Sequence, residues 1–307
     1  GWPDCCGGRF GRGAAFAWSD RSNGGITRID RDRYGHGMVI RLRQVALVAH
    51  DLDAVEEDLV VELGLEPCVR DLGVSQFGLR NVLFPVGERF LEVVSPVETG
   101  TTAGRQLARR DGDGGYMVLV QTDDLVGDRE RLDTLGVRVV LEASMPGIEG
   151  VHLHPKDVGG AILSIDETAD WLDWPWAGSM WRDHVRTEVV SDLVAVEIQA
   201  DDPATMAGRW AAALGVGRSG SVVLLNEGEI RFVEATDGRG EGVSGLEFRS
   251  DRSTDLEIGG VRIVLRPQGV GSLRGDGLGL EESRHAGIRH RVAHSQGTGC
   301  STCRRHG

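Results

Sequence analysis

Gly87–Leu125 reads GERFLEVVSPVETGTTAGRQLARRDGDGGYMVLVQTDDL, and the fold follows from how this stretch is divided. Arg89–Val94 (RFLEVV) is short, β-branched and aromatic, with one carboxylate, Glu92, set among apolar residues; it predicts a strand. Thr102–Arg110 (TAGRQLARR) predicts a short helix with Thr102 as its cap and arginines in its last turn, where they complement the helix dipole. Asp111–Gly115 (DGDGG) is a turn by composition, and Tyr116–Gln121 (YMVLVQ) a buried strand. One unit therefore ends on a strand and the next opens on one, which predicts repeats.

The flanking sequence repeats the pattern. Arg41–Leu52 (RLRQVALVAHDL) and Met117–Leu125 (MVLVQTDDL) are strands closing on Asp-Leu. Each is followed by an amphipathic run, Asp53–Leu65 and Val126–Val137, that carries Leu-Gly at its end, as a helix stopped by glycine does. Ala195–Val216 (AVEIQADDPATMAGRWAAALGV) repeats strand, Asp-Asp, helix-starting Pro, helix and Leu-Gly-Val. Gly228–Ala235 (GEIRFVEA) echoes Gly87–Val93 with one extra residue and places Glu234 where Glu92 sits.

The predicted architecture is α+β: tandem β-α-β-β-β modules forming a cupped mixed sheet, with a second, degenerate module pair. Module one carries later strands at Gln76–Arg80, Asn81–Val86 and Glu88–Pro96. Module two carries them near Val137–Glu142, Val151–His154 and Ala161–Asp166, with Pro155–Gly160 a turn. Gly242–Pro267 has no room for a full helix and reads as a shortened fourth module.

Expected domains are a non-native or disordered extension over 1–37, a first domain over 38–167, a Trp-rich linker over 168–190, a second, shortened domain over 191–267 and a disordered tail over 268–307. Met38, just ahead of the first convincing strand, is the expected biological start. Four of the seven tryptophans, Trp171, Trp174, Trp176 and Trp181, fall in the linker. That much aromatic area does not stay exposed. It is expected to pack as a staple between domains, the alternative being an aromatic wall or lid over a ligand pocket.

The net charge of −13 excludes nucleic acid as a main partner, since phosphate binding needs a basic surface. No apolar run is long enough to span a membrane and no secretory pattern opens the chain, so a cytoplasmic location is expected, without membrane contact. Cys5-Cys6 and Cys300-x-x-Cys303 sit in the two ends and lack the frame of a zinc site, and Cys68 reads as a small core or loop residue.

FLEVVSP (Phe90–Pro96), TAGRQLARRDGDGG (Thr102–Gly115), VQTDDL (Val120–Leu125) and HPKDVGGAILSID (His154–Asp166) together resemble the vicinal oxygen chelate superfamily, which groups glyoxalases, bleomycin-resistance proteins and extradiol dioxygenases. In look they are nearest its methylmalonyl-CoA epimerase-like members. The resemblance covers Val39–Glu167 closely and Asp192–Pro267 loosely. It implies a divalent ion held by inward residues from the first and last strand of each module, polarising a substrate oxygen.

Those positions fall here on Gln44, Glu92, Met117 and Ser164, with Asp166 two residues beyond the last and Asp157 in the turn before it. Gln44 and Glu92 are acceptable metal ligands; Met117 and Ser164 are not, for a hard ion. In the second pair the positions fall on Ala195, Glu234 and Gly245, which cannot hold a metal. His50, on the face of Gln44 and Ala46, and the pair His152 and His154 are the residues that would replace the lost ligands or act as a base. Otherwise they are hydrogen-bonded structural histidines. A buried Glu92 without metal is a candidate base, unless backbone N–H groups, Arg80 or Arg89 satisfy it.

Two functions follow from the resemblance. One is a glyoxalase-like enzyme, isomerase or lyase in type, with a small substrate in the first cup. Its catalytic residues would be Glu92, His152 and His154, and its pocket would be lined by His50, Met117, Ser164 and Trp174. The other is a metal-free protein that binds a small molecule without turning it over. A divalent metal is the only cofactor in view. A small-molecule substrate or ligand is the expected partner, with a homodimer as a further expectation. The iron site of an extradiol dioxygenase, two His and a carboxylate, has no match at these positions.

Overall fold

The computed structural model describes residues 38–267. The expectations for 1–37 and 268–307, and for the four terminal cysteines, lie outside the described residues.

The first half runs β1 (Ile40–Val48), α1 (Leu52–Leu63), β2 (Leu79–Val86), β3 (Arg89–Pro96), α2 (Thr102–Arg110), β4 (Gly114–Thr122), α3 (Leu125–Leu135), β5 (Val139–Met145), β6 (Ile148–Leu153), a single helical turn α4 (Pro155–Val158) and β7 (Ile162–Thr168). The second half runs β8 (Asp192–Ala200), α5 (Pro203–Leu214), β9 (Arg218–Ser219), β10 (Val222–Leu224), β11 (Glu229–Glu234), β12 (Gly242–Arg249), β13 (Thr254–Ile258) and β14 (Val261–Arg266). Each half is one seven-stranded mixed sheet, ordered β2-β3-β1-β4-β7-β6-β5 and β13-β14-β12-β8-β11-β10-β9. The tandem arrangement and the shortened fourth module, which has no helix between β12 and β13, are as expected.

Local chemistry sets the helix ends. Asp51, Asp124 and Asp202 cap α1, α3 and α5 by accepting backbone N–H bonds, and Gly64, Gly136 and Gly215 end the same helices at φ 66°, 68° and 66°. These left-handed positions are where glycine carries no Cβ penalty. Helix α2 is capped by Thr101 rather than Thr102: the Thr101 hydroxyl accepts from Gly104 N, and Thr102 is the first residue inside. Gln76 and Phe77 are not strand but part of a 3₁₀ turn, Val74–Phe77, and Pro155–Val158 is helical rather than an open turn.

One face of each sheet contributes to a common core. Leu42, Val45 and Leu47 of β1, Val55 and Leu59 of α1, Val196 and Ile198 of β8, and Trp210 of α5 belong to the same buried cluster. The sheets meet closely enough that a Cβ on Gly115 would lie 2.1 Å from Val243 Cβ.

The opposite face of the first sheet carries Gln44, Glu92, Leu119 and Ser164 and forms the cup. Two bulges shape it. The β1–β4 register shifts between Leu42 and Gln44, making Arg43 an extra residue, and between Ala46 and Leu47, making Tyr116 one. Trp174 and Trp181 are buried on this cup face and Trp171 lies against Arg41, so these tryptophans are not the inter-domain staple expected. Their surroundings are first-sheet residues because Arg41, Arg43 and Gln121 grip the backbone carbonyls of 171–173.

Candidate functional site

The cup is built in rows across the strands. Gln44 on β1 stands beside Phe90 on β3 and Leu119 on β4, and Leu119 stands beside Ser164 on β7, which pairs with His152 on β6. A second row runs Glu92, Ala46, Met117 and Ile162. A third runs Arg41, Gln121, Asp166 and Gly150.

Glu92 is the centre of a side-chain chain of hydrogen bonds. Its Oε1 accepts from the Asn81 amide at 2.7 Å and its Oε2 from the Gln44 amide at 2.8 Å. Gln44 Oε1 in turn accepts the Trp174 indole N–H at 2.7 Å. Burial holds the Glu92 carboxyl above its ordinary range, and the two amide donors pull it back down. Neither Arg80 nor Arg89 satisfies it: Arg80 pairs with Asp53, and Arg89 with Asp192 and the Leu42 carbonyl.

A second carboxyl lies on the same face. Asp166 is completely buried, accepts from Ser164 Oγ at 2.7 Å and from the Trp176 indole at 3.0 Å, and is pushed up to about 7 by burial against those two bonds. Gly150, opposite it, leaves the room it needs: a Cβ there would lie 2.2 Å from Asp166 Oδ1.

The Trp-rich segment covers much of this face. Trp174 stacks on Phe90 with centroids 6.2 Å apart, and Trp181 meets the same ring edge-on at 5.0 Å. The Arg43 guanidinium lies 5.4 Å from the Trp174 ring and 5.3 Å from Phe90, and donates to the Leu172 and Asp173 carbonyls. Met117, Ile162 and His152 keep part of their surface exposed, so the cup is reached along β4, β7 and β6.

Of the sequence-predicted residues, Gln44, Glu92, Met117, Ser164, His152 and Trp174 share the cup. His50 does not: β1 ends at Val48, and the His50 ring is largely exposed and bonds Asp113 at 2.9 Å. His154 lies past the end of β6, where its Nδ1 accepts from Lys156 N and caps α4. His152 faces Ser164, and burial lowers its pKa to about 4, so it stands neutral at neutral pH. Sequence reasoning missed Asn81, Arg43 and Trp176. Asn81 was legible as the one amide in the apolar run NVLFPV; Arg43 and Trp176 depended on a bulge and on where a loop lands.

The residues present do not fit a divalent ion as arranged. Gln44 has spent its carbonyl on an indole donor, and each oxygen of Glu92 faces an amide N–H. Met117 offers a thioether, and Ser164 donates to Asp166. Among the described residues no group of three or more His, Cys, Asp or Glu could hold a metal ion.

The matching face of the second sheet has different chemistry. Asp51 and Asp202 occupy the same capping place, so Gln44 corresponds to Ala195 and Ala46 to Glu197. The parallel partner of Ala46 is Glu92 and that of Glu197 is Arg231. Arg231, not Glu234, therefore stands where Glu92 does, and Glu234 is the exposed last residue of β11. Arg231 bonds Glu247, and Arg262 bonds Glu197, across this face.

The profile of the glyoxalase-like domain family matches residues 45–214, more than half of the chain. The chain belongs to this family. Within the vicinal oxygen chelate superfamily, this glyoxalase-like chain resembles methylmalonyl-CoA epimerases. It is 26% identical over 140 residues to the ethylmalonyl-CoA/methylmalonyl-CoA epimerase of Cereibacter sphaeroides, covering 42% of this chain and 99% of that one. A hypothetical protein from Staphylococcus aureus has the same fold, with a TM-score of 0.56 and 12% identity over 75% of the glyoxalase-like chain and all of its own. A mutant 4-hydroxymandelate synthase from Streptomyces coelicolor follows with a TM-score of 0.52 and 16% identity, over 69% of this chain and 71% of that one. Among the described residues no helix is long and apolar enough to cross a membrane.

Proposed function

We propose that the cup of the first sheet binds a small-molecule substrate and that Glu92 moves a proton there, in isomerase-type chemistry. The observation that carries this reading is the environment of Glu92. It is a buried carboxyl without a cationic partner, raised by desolvation and held by two amides, which is how a carboxylate becomes an effective base. The likeness to an epimerase of 2-substituted malonyl thioesters supports a carbon acid as substrate.

In this reading Glu92 removes the proton alpha to a thioester carbonyl on one face, and the enolate is reprotonated on the other face by the protonated Asp166 carboxyl, which inverts the carbon. Asp166, which takes up a proton near neutral pH, and neutral His152 stand on the far strands as groups that exchange or accept one. No metal step is assigned. The catalytic domain spans 38–167, joined through the Trp-rich 168–190 to a supporting domain over 191–267.

Incubation of the full chain with methylmalonyl-CoA in deuterated water tests this reading. Exchange at the alpha carbon that falls at least about 100-fold in Glu92→Gln, with affinity kept, supports it. A second reading, binding without turnover, is favoured by Trp174 and Trp176 engaging the cup's own polar groups. Saturable quenching of Trp fluorescence without exchange would establish that reading. Neither quenching nor exchange would remove this thioester as a ligand.

A further inference from the structure

We propose that Trp174, although it lies outside the first sheet, is a positioning residue for Glu92 and acts through Gln44. This rests on reading Glu92 as a proton-handling group.

Hydrogen-bond direction couples the two residues. An indole N–H can only donate. Placed 2.7 Å from the side chain of Gln44, it requires the amide oxygen on its own side, and the amide NH₂ then faces Glu92 Oε2 at 2.8 Å. Without that donor the amide is free to turn over. Its oxygen would then face the carboxylate, which repels the ionised form and accepts from the protonated one. Trp174 therefore fixes the amide in the sense that favours ionised Glu92, against the burial that opposes it.

Trp174 is itself held fast. It is completely buried, lies nearly parallel to Phe90 at 17°, and has the Arg43 guanidinium over its ring. The backbone around it is fixed by Arg41 and Gln121 on the Trp171 carbonyl, at 2.6 and 3.0 Å, and by the Ala177 N–H on its own carbonyl. A signal at residue 174 thus reaches a carboxyl on β3 through two hydrogen bonds.

Glu92 is faced by other groups that the test must separate. Asn81 on β2 donates to its second oxygen, and Met117 on β4 is neutral. Burial pushes the hydroxyl of Tyr116, also on β4, up to about 12, with the charge of Glu92 adding to the rise and Arg105 on α2 opposing it, so it titrates beyond the range of interest.

The experiment is a substrate-free titration of Glu92 by carboxyl carbon NMR on ¹³C-glutamate-labelled full chain, assigned by its loss in Glu92→Gln. Trp174→Phe keeps an aromatic ring and removes the N–H. It is expected to move the Glu92 midpoint upward, about tenfold in the ionisation equilibrium. Gln44→Leu should do the same, and the double variant should add nothing to Gln44→Leu alone. No movement in Trp174→Phe, or an undiminished movement in the Gln44→Leu background, would overturn the proposal.

If Trp174→Phe does not fold, the wild-type indole decides. The ¹⁵N resonance of the Trp174 ring should follow the Glu92 midpoint and become flat in Glu92→Gln, and a resonance that ignores Glu92 sinks the idea. Because no substrate is present, intact coupling without alpha-carbon exchange would defeat the functional reading and leave this one standing. Exchange with no coupling would do the reverse.

Discussion

The Trp176 indole nitrogen lies 3.0 Å from Asp166 Oδ1, so a residue of the covering segment donates to a carboxyl that the sheet has buried completely. Burial of this carboxyl, only partly offset by the Ser164 and Trp176 donors, makes stability depend on pH in a direction opposite to the usual aspartate. The Asp166 carboxyl is raised to about 7 in the folded chain, so between about 4 and 7 the folded state binds more protons than the unfolded one. Stability contributed by this group is therefore present at low pH and lost as pH rises to about 7, with a slope of up to about 1.4 kcal/mol per unit. Urea unfolding of wild type and Asp166→Asn at pH 5 and pH 8 checks it. The variant should lose that component of the slope and gain on wild type at the higher pH.

Glu92 is expected to distinguish shape from hydrogen bonding. Glu92→Gln keeps an acceptor for one of the two amides and is expected to cost about 1–3 kcal/mol. Glu92→Leu leaves the Asn81 and Gln44 N–H groups both unsatisfied in a buried site, at about 1–3 kcal/mol each. Denaturant midpoints should order wild type, Glu92→Gln, Glu92→Leu. An equal or higher midpoint for the leucine variant would show that the amides find other partners.

Gly115→Ala probes the contact between the sheets. Its new Cβ would fall 2.1 Å from Val243 Cβ, and both backbones sit in paired strands. Overpacking of this kind costs about 1–3 kcal/mol or more. Because the closest contact is with Val243 Cβ itself, Val243→Ala should relieve little of the loss and only Gly115→Ala with Val243→Gly removes the clash. Thermal unfolding of the single and double variants reads the coupling directly.

Cys68 should be a slow nucleophile. Its thiol is pushed up to about 12 by burial, and the thiolate is the reacting form. Alkylation with iodoacetamide at pH 8, followed by peptide mass spectrometry, should label the Cys68 peptide at least about 100-fold more slowly than a free cysteine. Labelling at the free rate would mean that the thiol spends time outside the pocket of Val69 and the Trp-rich segment.

Much of the fold was legible because the signals were local. Asp-capped helix starts, Leu-Gly ends and runs such as RFLEVV repeat with the period of the modules, and each is set by residues within a turn of one another. The same reading failed where geometry is non-local. Glu234 and Glu92 share a sequence echo, yet strand register puts Arg231 in the equivalent place. His50 alternates onto the face of Gln44, but its strand stops two residues earlier. In the cup, Gln44 and Glu92 were visible as polar residues in apolar strands. Their use by Asn81 and Trp174 was not, because the indole comes from 130 residues away in sequence.

The absence of a helix from the fourth module affects how the chain is made. Between β13 and β14, Gly259 sits against Val55 and Leu47, and Leu256 and Ile258 join the cluster that contains α1. The first helix thus covers strands that emerge from the ribosome about 200 residues later. At about 5–20 residues per second that is a wait of roughly 10–40 s. During it the apolar side of α1 has β2 and β3 of its own sheet, but the part around Val55 lacks its last partners. Synthesis itself thus sets the earliest moment at which this core can close, and a nascent chain stalled before β14 would present that part to chaperones.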